Sequence, residues 1–295
     1  MNNISINAPH GTKYVSHRQS IEVWRRLRRN KVAMVCLTML VIIMIAVIFS
    51  EWLAPYQFDR QSPRDRFYFP SLTHLFGTDN LGRDIFSRIL VGGKISLLVA
   101  FESVAFSAVV GSLLGAAAGY FGNRTDFIIM KCTDVLMAIP AFLLAVTVSS
   151  ALGTGVAETA LAVGICNIPR FIRLMRAETL ALRGKEFVEV STICGASHTR
   201  IILTHIIPNA LSSTIVNVTL GISTAILQIS GLSFVGLGVQ PPIPEWGSML
   251  SYGRDYIRDF WPMTVFPGIA IVMTLILFNL LGDGLRDAMD PKLKR

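Results

Sequence analysis

The sequence predicts an all-α membrane protein with six transmembrane helices, and three observations carry that prediction. The 295-residue chain is 52% hydrophobic and only 16% charged, against about 25% charged residues in an average soluble domain. Its mean hydropathy is +0.54. Its apolar residues gather into six runs, several close to the length of about 20 residues that crosses a hydrocarbon core.

Val32 to Phe49 is the first span. It is uncharged and is followed by Trp52 and Pro55 rather than by a small-residue cleavage site, so it reads as a retained helix and not a signal peptide. Ile95 to Tyr120 is the second and carries Glu102. Phe127 to Val148 is the third, with Asp134 near its start and Pro140 inside. Val156 to Ile168 is the fourth; it is short and extends past Pro169. Leu211 to Leu237 is the fifth, rich in small and polar residues, and Pro262 to Leu281 is the sixth. The expected organisation is a tail over 1–30, with its first twenty residues polar and disordered, and a membrane domain over 31–295. Within that domain the core covers about 95–285, an external loop about 51–94 and a cytoplasmic loop about 170–210.

Orientation follows from the distribution of basic residues. With the N-terminus in the cytoplasm, 19 of the 27 Lys and Arg residues fall in cytoplasmic segments, and "WRRLRRNK" (Trp24 to Lys31) precedes the first span. Both termini are therefore expected inside. The net charge of +8 flanks membrane helices, so nucleic acid is not an expected partner. Four cysteines show no C-x-x-C spacing and five histidines no ligand motif, so no metal site is expected.

The stretch Gly77 to Asp84, "GTDNLGRD", nearly spells the phosphate-binding G-x-x-x-x-G-K-[ST]. However, Arg83 stands for the lysine and Asp84 for the magnesium-binding hydroxyl, Asp79 and Asp84 repel phosphate, and the stretch faces outside. It reads instead as a helix start. Thr78 or Asp79 is the expected N-cap, Leu81, Ile85 and Ile89 form one apolar face, and Arg83 or Arg88 pairs with the aspartates at exposed positions. Without a phosphate loop the chain cannot hydrolyse ATP, so ATP-driven work would need another subunit.

Inside the spans, Gly111, Gly115 and Gly119 recur every four residues and let a neighbouring helix approach closely. Asn217, Gly221, Thr224 and Gln228 share one face of the fifth span. That face either lines a watery pathway or makes hydrogen bonds between helices. Glu102 is expected to reach toward the headgroups and Asp134 to pair with Lys131. These carboxylates are too few for a proton relay, which weighs against an ion-coupled secondary transporter, the alternative class. The spans hold no histidine, and Glu102 and Asp134 lie toward opposite membrane faces, so an intramembrane hydrolase is disfavoured.

The segment Glu186 to Asn209, "EFVEVSTICGASHTRIILTHIIPN", is the most informative. It predicts a short helix, a glycine turn at Gly195 and a second short helix, with Pro208 just before the fifth span. That is a protruding elbow on which a partner can pull.

Glu189, Gly195 and Pro208 match, in type and spacing, the E-A-A-x-x-x-G-x₉-I-x-L-P loop of bacterial ABC-importer permeases. Val190 and Ser191 replace the two alanines, His205 the isoleucine and Ile207 the leucine. With "FGTDNLGRDIFSR", "GLGVQPPIPEWGSML" and "FNLLGDGLRDAMDPKLKR", the chain from about Trp24 to its end resembles the C-type permease of the dipeptide/oligopeptide/nickel importer family. The resemblance implies a type I ABC-importer membrane domain, a five-helix core plus an N-terminal helix, in the bacterial inner membrane. It implies a homologous second permease and an external solute-binding protein that delivers a short peptide, with nickel or glutathione as alternative cargo. It implies two cytoplasmic ATPases that bring ATP and magnesium and grip the loop at Glu189, Val190, Ser191, Gly195, Ala196 and Ser197, with Pro208 behind it. No cofactor is expected in this chain.

Overall fold

The computed structural model describes residues 22–289. The expectation of a disordered first twenty residues lies outside them. Residues 22–29 are helical, and Leu27 is buried against Ala33 and Ala288. Helix α1 (Lys31–Ile48) begins where Asn30 Oδ1 accepts the Ala33 N–H at 3.1 Å, and the one-turn α2 (Ser50–Leu53) follows it.

Residues 54–84 form an ordered cap over the start of α3. Helix α3 (Ile85–Phe121) starts ten residues before the expected second span. Its N-cap is Asp84, not Thr78 or Asp79: Asp84 Oδ2 accepts from the Ser87 N–H at 2.8 Å and from the Ser87 hydroxyl at 2.7 Å. Asp79 instead folds the preceding turn, accepting from the backbone N–H groups of Leu81 and Arg83 and from Arg83 Nε at 2.6 Å. Leu81 therefore lies in the turn and shares no helix face with Ile85 and Ile89. Nor are the ion pairs exposed, since Asp79 and Arg88 are both buried. Gly77 and Gly82 take positive φ, and a Cβ on Gly82 would sit 1.8 Å from the Ser62 carbonyl oxygen. The two glycines of the near-motif thus serve turn geometry.

The third span is not one helix. It is α4 (Asn123–Met137) and α5 (Ala141–Leu152), bent by 92°. Pro140 lacks an N–H for the helix ladder and disfavours helical geometry at the residue before it, so the chain breaks there. Asp134 pairs with Arg173 at 2.8 Å rather than with Lys131, whose ammonium lies over the Phe127 ring. A neighbouring helix offers a guanidinium in reach, and that wins over the local i, i+3 pair.

The fourth span is α6 (Val156–Arg183), which runs through Pro169 for 28 residues. Helix α7 (Glu186–Ile193) and α8 (His198–Ile201) follow, then a π-helical turn over Ile202–Ile206 and α9 (Ile207–Phe234). The second helix of the elbow is therefore not separate, because His198–Phe234 is one 37-residue helix. Pro208 lies inside it. The preceding π turn, with the Ile207 N–H reaching back to the Ile202 carbonyl, absorbs the proline. The chain closes with the short α10 (Trp246–Arg254) and α11 (Pro262–Met289).

Among the described residues, α1, α3, α8 with α9, and α11 are long and apolar enough to cross a membrane, and the bent pair makes a fifth when it is counted as one span. Helix α6 is long enough but carries Arg170, Arg173, Arg176, Glu178 and Arg183 on its second half. The core joins α3, α6, α9 and α11 through Val104, Phe171, Ile226 and Phe278. The glycine row of α3 meets α6 directly. A Cβ on Gly111 would fall 2.5 Å from Phe171 Cβ, one on Gly115 2.4 Å from the Ile172 carbonyl oxygen, and one on Gly119 2.7 Å from Thr179 Cβ. With no side chain in the way the two helix backbones pack closely along three turns.

Candidate functional site

The elbow hangs from the C-terminal ends of α3 and α6. Val188 is 3% exposed and packs with Ala116, Met175, Ile201, Ile202, Ile206 and Ala210. The opposite side of α7 is bare: Phe187, Val190 and Ile193, three residues apart, are all exposed, Ile193 at 84%. Glu189 and Ser197 are exposed, Ser191 and Ala196 half-buried. Gly195 turns the chain with φ +77°, a conformation that disfavours any other residue. Ser197 Oγ accepts the Arg200 N–H at 3.4 Å and starts α8. His198 holds the elbow to α3, its Nδ1 lying 2.9 Å from the Tyr120 hydroxyl. Pro208 is about three turns of helix behind and belongs to the stem, not to the exposed face.

The polar face of α9 looks into the bundle, against α3 and α6. Gln228 is buried and its Oε1 accepts from Asn167 Nδ2 at 2.8 Å. Asn217 Oδ1 accepts from Arg170 Nη2 at 3.2 Å. Gly221 faces Val104, and Thr224 bonds its own helix, at the Leu220 carbonyl. A cavity of about 800 Å³ opens at the Asn217 end and is lined by Arg170, Glu178, Asn209, Asn217 and Arg286. Asn217 therefore borders a space, whereas Gln228 is sealed in a helix–helix contact.

Sequence reasoning missed the polar groups of α6. Besides Asn167 and Arg170, Arg176 grips Asp126 with Nε at 2.5 Å from Oδ1 and Nη2 at 2.6 Å from Oδ2. Together with Arg173–Asp134 this fastens α4 to α6. The signal was present in the spacing of Arg170, Arg173 and Arg176, which recur every three residues, and in Asp126, to which no role was assigned.

A second missed feature is the joint between α10 and the first turns of α3. Glu245 is fully buried and caps α10: Oε1 accepts from the Gly247 N–H at 2.9 Å and the Ser96 hydroxyl at 3.0 Å, and Oε2 accepts from the Ser248 N–H at 2.9 Å. Burial pushes its carboxyl above the usual carboxylate range, against the pull of the Gly247 and Ser248 N–H groups and the Ser233 and Ser96 hydroxyls. The Trp246 indole N–H donates to the Ile89 carbonyl at 2.9 Å. The motif "PEWGSM" thus anchors α10 to α3. In the cap, Asp84 Oδ1 also meets His74 Nδ1 at 2.9 Å, and Phe67 and Phe69 pack on Phe260.

Residues 111–295 match the family described as "Binding-protein-dependent transport system inner membrane component", and residues 19–70 match "N-terminal TM domain of oligopeptide transport permease C". The chain is 46% identical over 274 residues to the glutathione transport system permease protein GsiD of Escherichia coli O6:K15:H31, covering 92% of this chain and 90% of that one. The GsiD protein of Shigella boydii serotype 4 matches to the same extent. A chain of the MetNI methionine ABC transporter, in an inward-facing conformation, shares the fold with a TM-score of 0.55 at 18% identity, over 69% of this chain and 97% of that one.

Proposed function

The chain belongs to the binding-protein-dependent inner-membrane permeases of ABC importers, in the dipeptide and oligopeptide class, and from that premise we propose how it works. It is a multi-pass transporter subunit. It forms one half of a translocation pathway and pairs with a homologous second permease. Two cytoplasmic ATPases hold ATP and magnesium, and an external binding protein delivers the solute. Both termini lie in the cytoplasm.

The observation that carries the mechanism is the two-sided helix α7. One side is fixed to the bundle by Val188, while the other exposes Phe187, Val190 and Ile193 beside Glu189. A bare apolar stripe on a cytoplasmic projection fits a groove in a partner and anchors it there. When ATP draws the two ATPases together, each elbow moves with its subunit. The move passes through α8 into the continuous helix to Phe234 and through Val188 into α3 and α6. The cavity beside Arg170 and Asn217 then closes from the cytoplasm while the outer side opens.

The cargo is a short peptide. The named activity of the GsiD relatives makes glutathione, a small anionic peptide, the first one to try. The test is cross-linking from Ile193→Cys, in a chain with the exposed Cys194 replaced by serine, to the co-expressed ATPases. An adduct whose yield changes with bound ATP supports the reading. No adduct in any nucleotide state contradicts it.

A further inference from the structure

Glu102 lies on the outer side of α3, exposed, and makes no hydrogen bond or ion pair among the described residues. Its depth is fixed by α1. Val47, at the outer end of α1, packs where a Cβ on Gly93 would be, 2.9 Å away. Glu102 is nine residues further in, about 14 Å along the helix axis, which is close to the middle of a ~30 Å hydrocarbon core. A carboxylate side chain does not reach the headgroups from there. Lys94, at the outer end of the same side, is by contrast paired within the chain to Glu51 at 2.9 Å.

The surroundings of Glu102 are apolar. Leu98, Val109 and Leu113 continue its stripe and are 46%, 61% and 46% exposed. A water-filled passage is not lined that way. The polar face of α9 is also on the other side of α3, where Val104 meets Gly221, and two residues along a helix turn the direction by about 160°. A carboxylate left in lipid at this depth is costly. Polar groups within a membrane are satisfied by neighbouring helices. Among the described residues no such neighbour lies here.

We propose that the Leu98–Glu102–Val109 stripe of α3 is a contact surface for the second permease, which sets a hydrogen-bond donor from one of its own helices against the Glu102 carboxylate near mid-membrane. The inference rests on the pairing stated under Proposed function. It adds the surface and the chemistry of the contact.

The test uses the complete importer in membranes, with a benzophenone amino acid at position 98 or 109 and Glu102 intact. Adducts to the second permease are expected from both positions, and adducts to lipid alone overturn the proposal. In parallel, the second permease is co-purified with Glu102→Gln and Glu102→Leu chains. Glutamine keeps a polar partner and retains most of the pair, whereas leucine lowers recovery about three- to tenfold. Equal or better recovery with leucine overturns the proposal. If the leucine chain fails to accumulate, the adducts from the chain with intact Glu102 decide. Absence of a second permease from the wild-type preparation sinks the pairing itself, a different result from a pair that forms through another surface.

Discussion

Ser96 on α3 donates its hydroxyl hydrogen to Glu245 at 3.0 Å and accepts the Trp246 N–H at 3.1 Å. This exchange joins the outer end of the second span to the cap of α10 across 149 positions of sequence. Because burial raises the folded carboxyl above its unfolded value, the folded state holds its proton over a pH range in which the unfolded state has lost it. This group's contribution is therefore full below about pH 4, and falls as pH rises toward the raised folded value. Melting curves in detergent should show wild-type stability declining through that window, and the decline should flatten in Glu245→Gln. Glu245→Ala, which strands the Gly247 and Ser248 N–H groups, should cost about 1–3 kcal/mol.

The glycine row of α3 gives a second prediction. Gly115→Leu drives a side chain into the Ile172 carbonyl and Met175, and overpacking of this kind costs about 1–3 kcal/mol. Gly184→Ala, where a Cβ meets open space, is the control and should melt as wild type. Fluorescence-detected thermal stability separates the two.

At the elbow, Ile193→Asp removes the most exposed apolar contact of α7 and places a charge in the expected groove. Coupled uptake should drop on the order of tenfold, the effect of about 1.4 kcal/mol at the interface. Glu189→Ala and Gly195→Pro should likewise uncouple ATP hydrolysis from uptake. Uptake per ATP hydrolysed, compared at equal membrane levels of the subunit, measures this.

Asn217 and Gln228 should part company on labelling. With the exposed Cys132 and Cys194 replaced by serine, a water-soluble maleimide should react with Asn217→Cys, which borders the cavity, and not with Gln228→Cys, which faces Asn167. Gln228→Ala should cost about 0.6 kcal/mol, the mean for such a bond between membrane helices.

The spans of α1, α3, α9 and α11 were legible because hydropathy integrates over a whole helix, so single errors average out. The glycine turn at Gly195 was also legible, since few residues accept that backbone. Helix ends were less legible. Asp79 and Asp84 are both good caps, and only the folded cap decides that Asp84 starts α3 while Asp79 holds Arg83. Pro140 and Pro169 both sit inside apolar runs, yet one breaks its helix and the other does not, because tertiary packing around α6 keeps that helix continuous. The partner of Asp134 was illegible for a related reason: Arg173 is 39 positions away and only the fold brings it near. Fully hidden were Ser96 with Glu245 and Asn167 with Gln228, pairs that no local spacing encodes.

The central claim is that this chain is a passive half-pathway moved by ATPases through α7. Its most direct test is glutathione or short-peptide uptake into vesicles reconstituted with this chain, the second permease, the ATPases and the binding protein, each omitted in turn. The account predicts accumulation against a gradient only in the complete set with ATP, and none from this chain alone. Uphill uptake by the chain without the ATPases would contradict it.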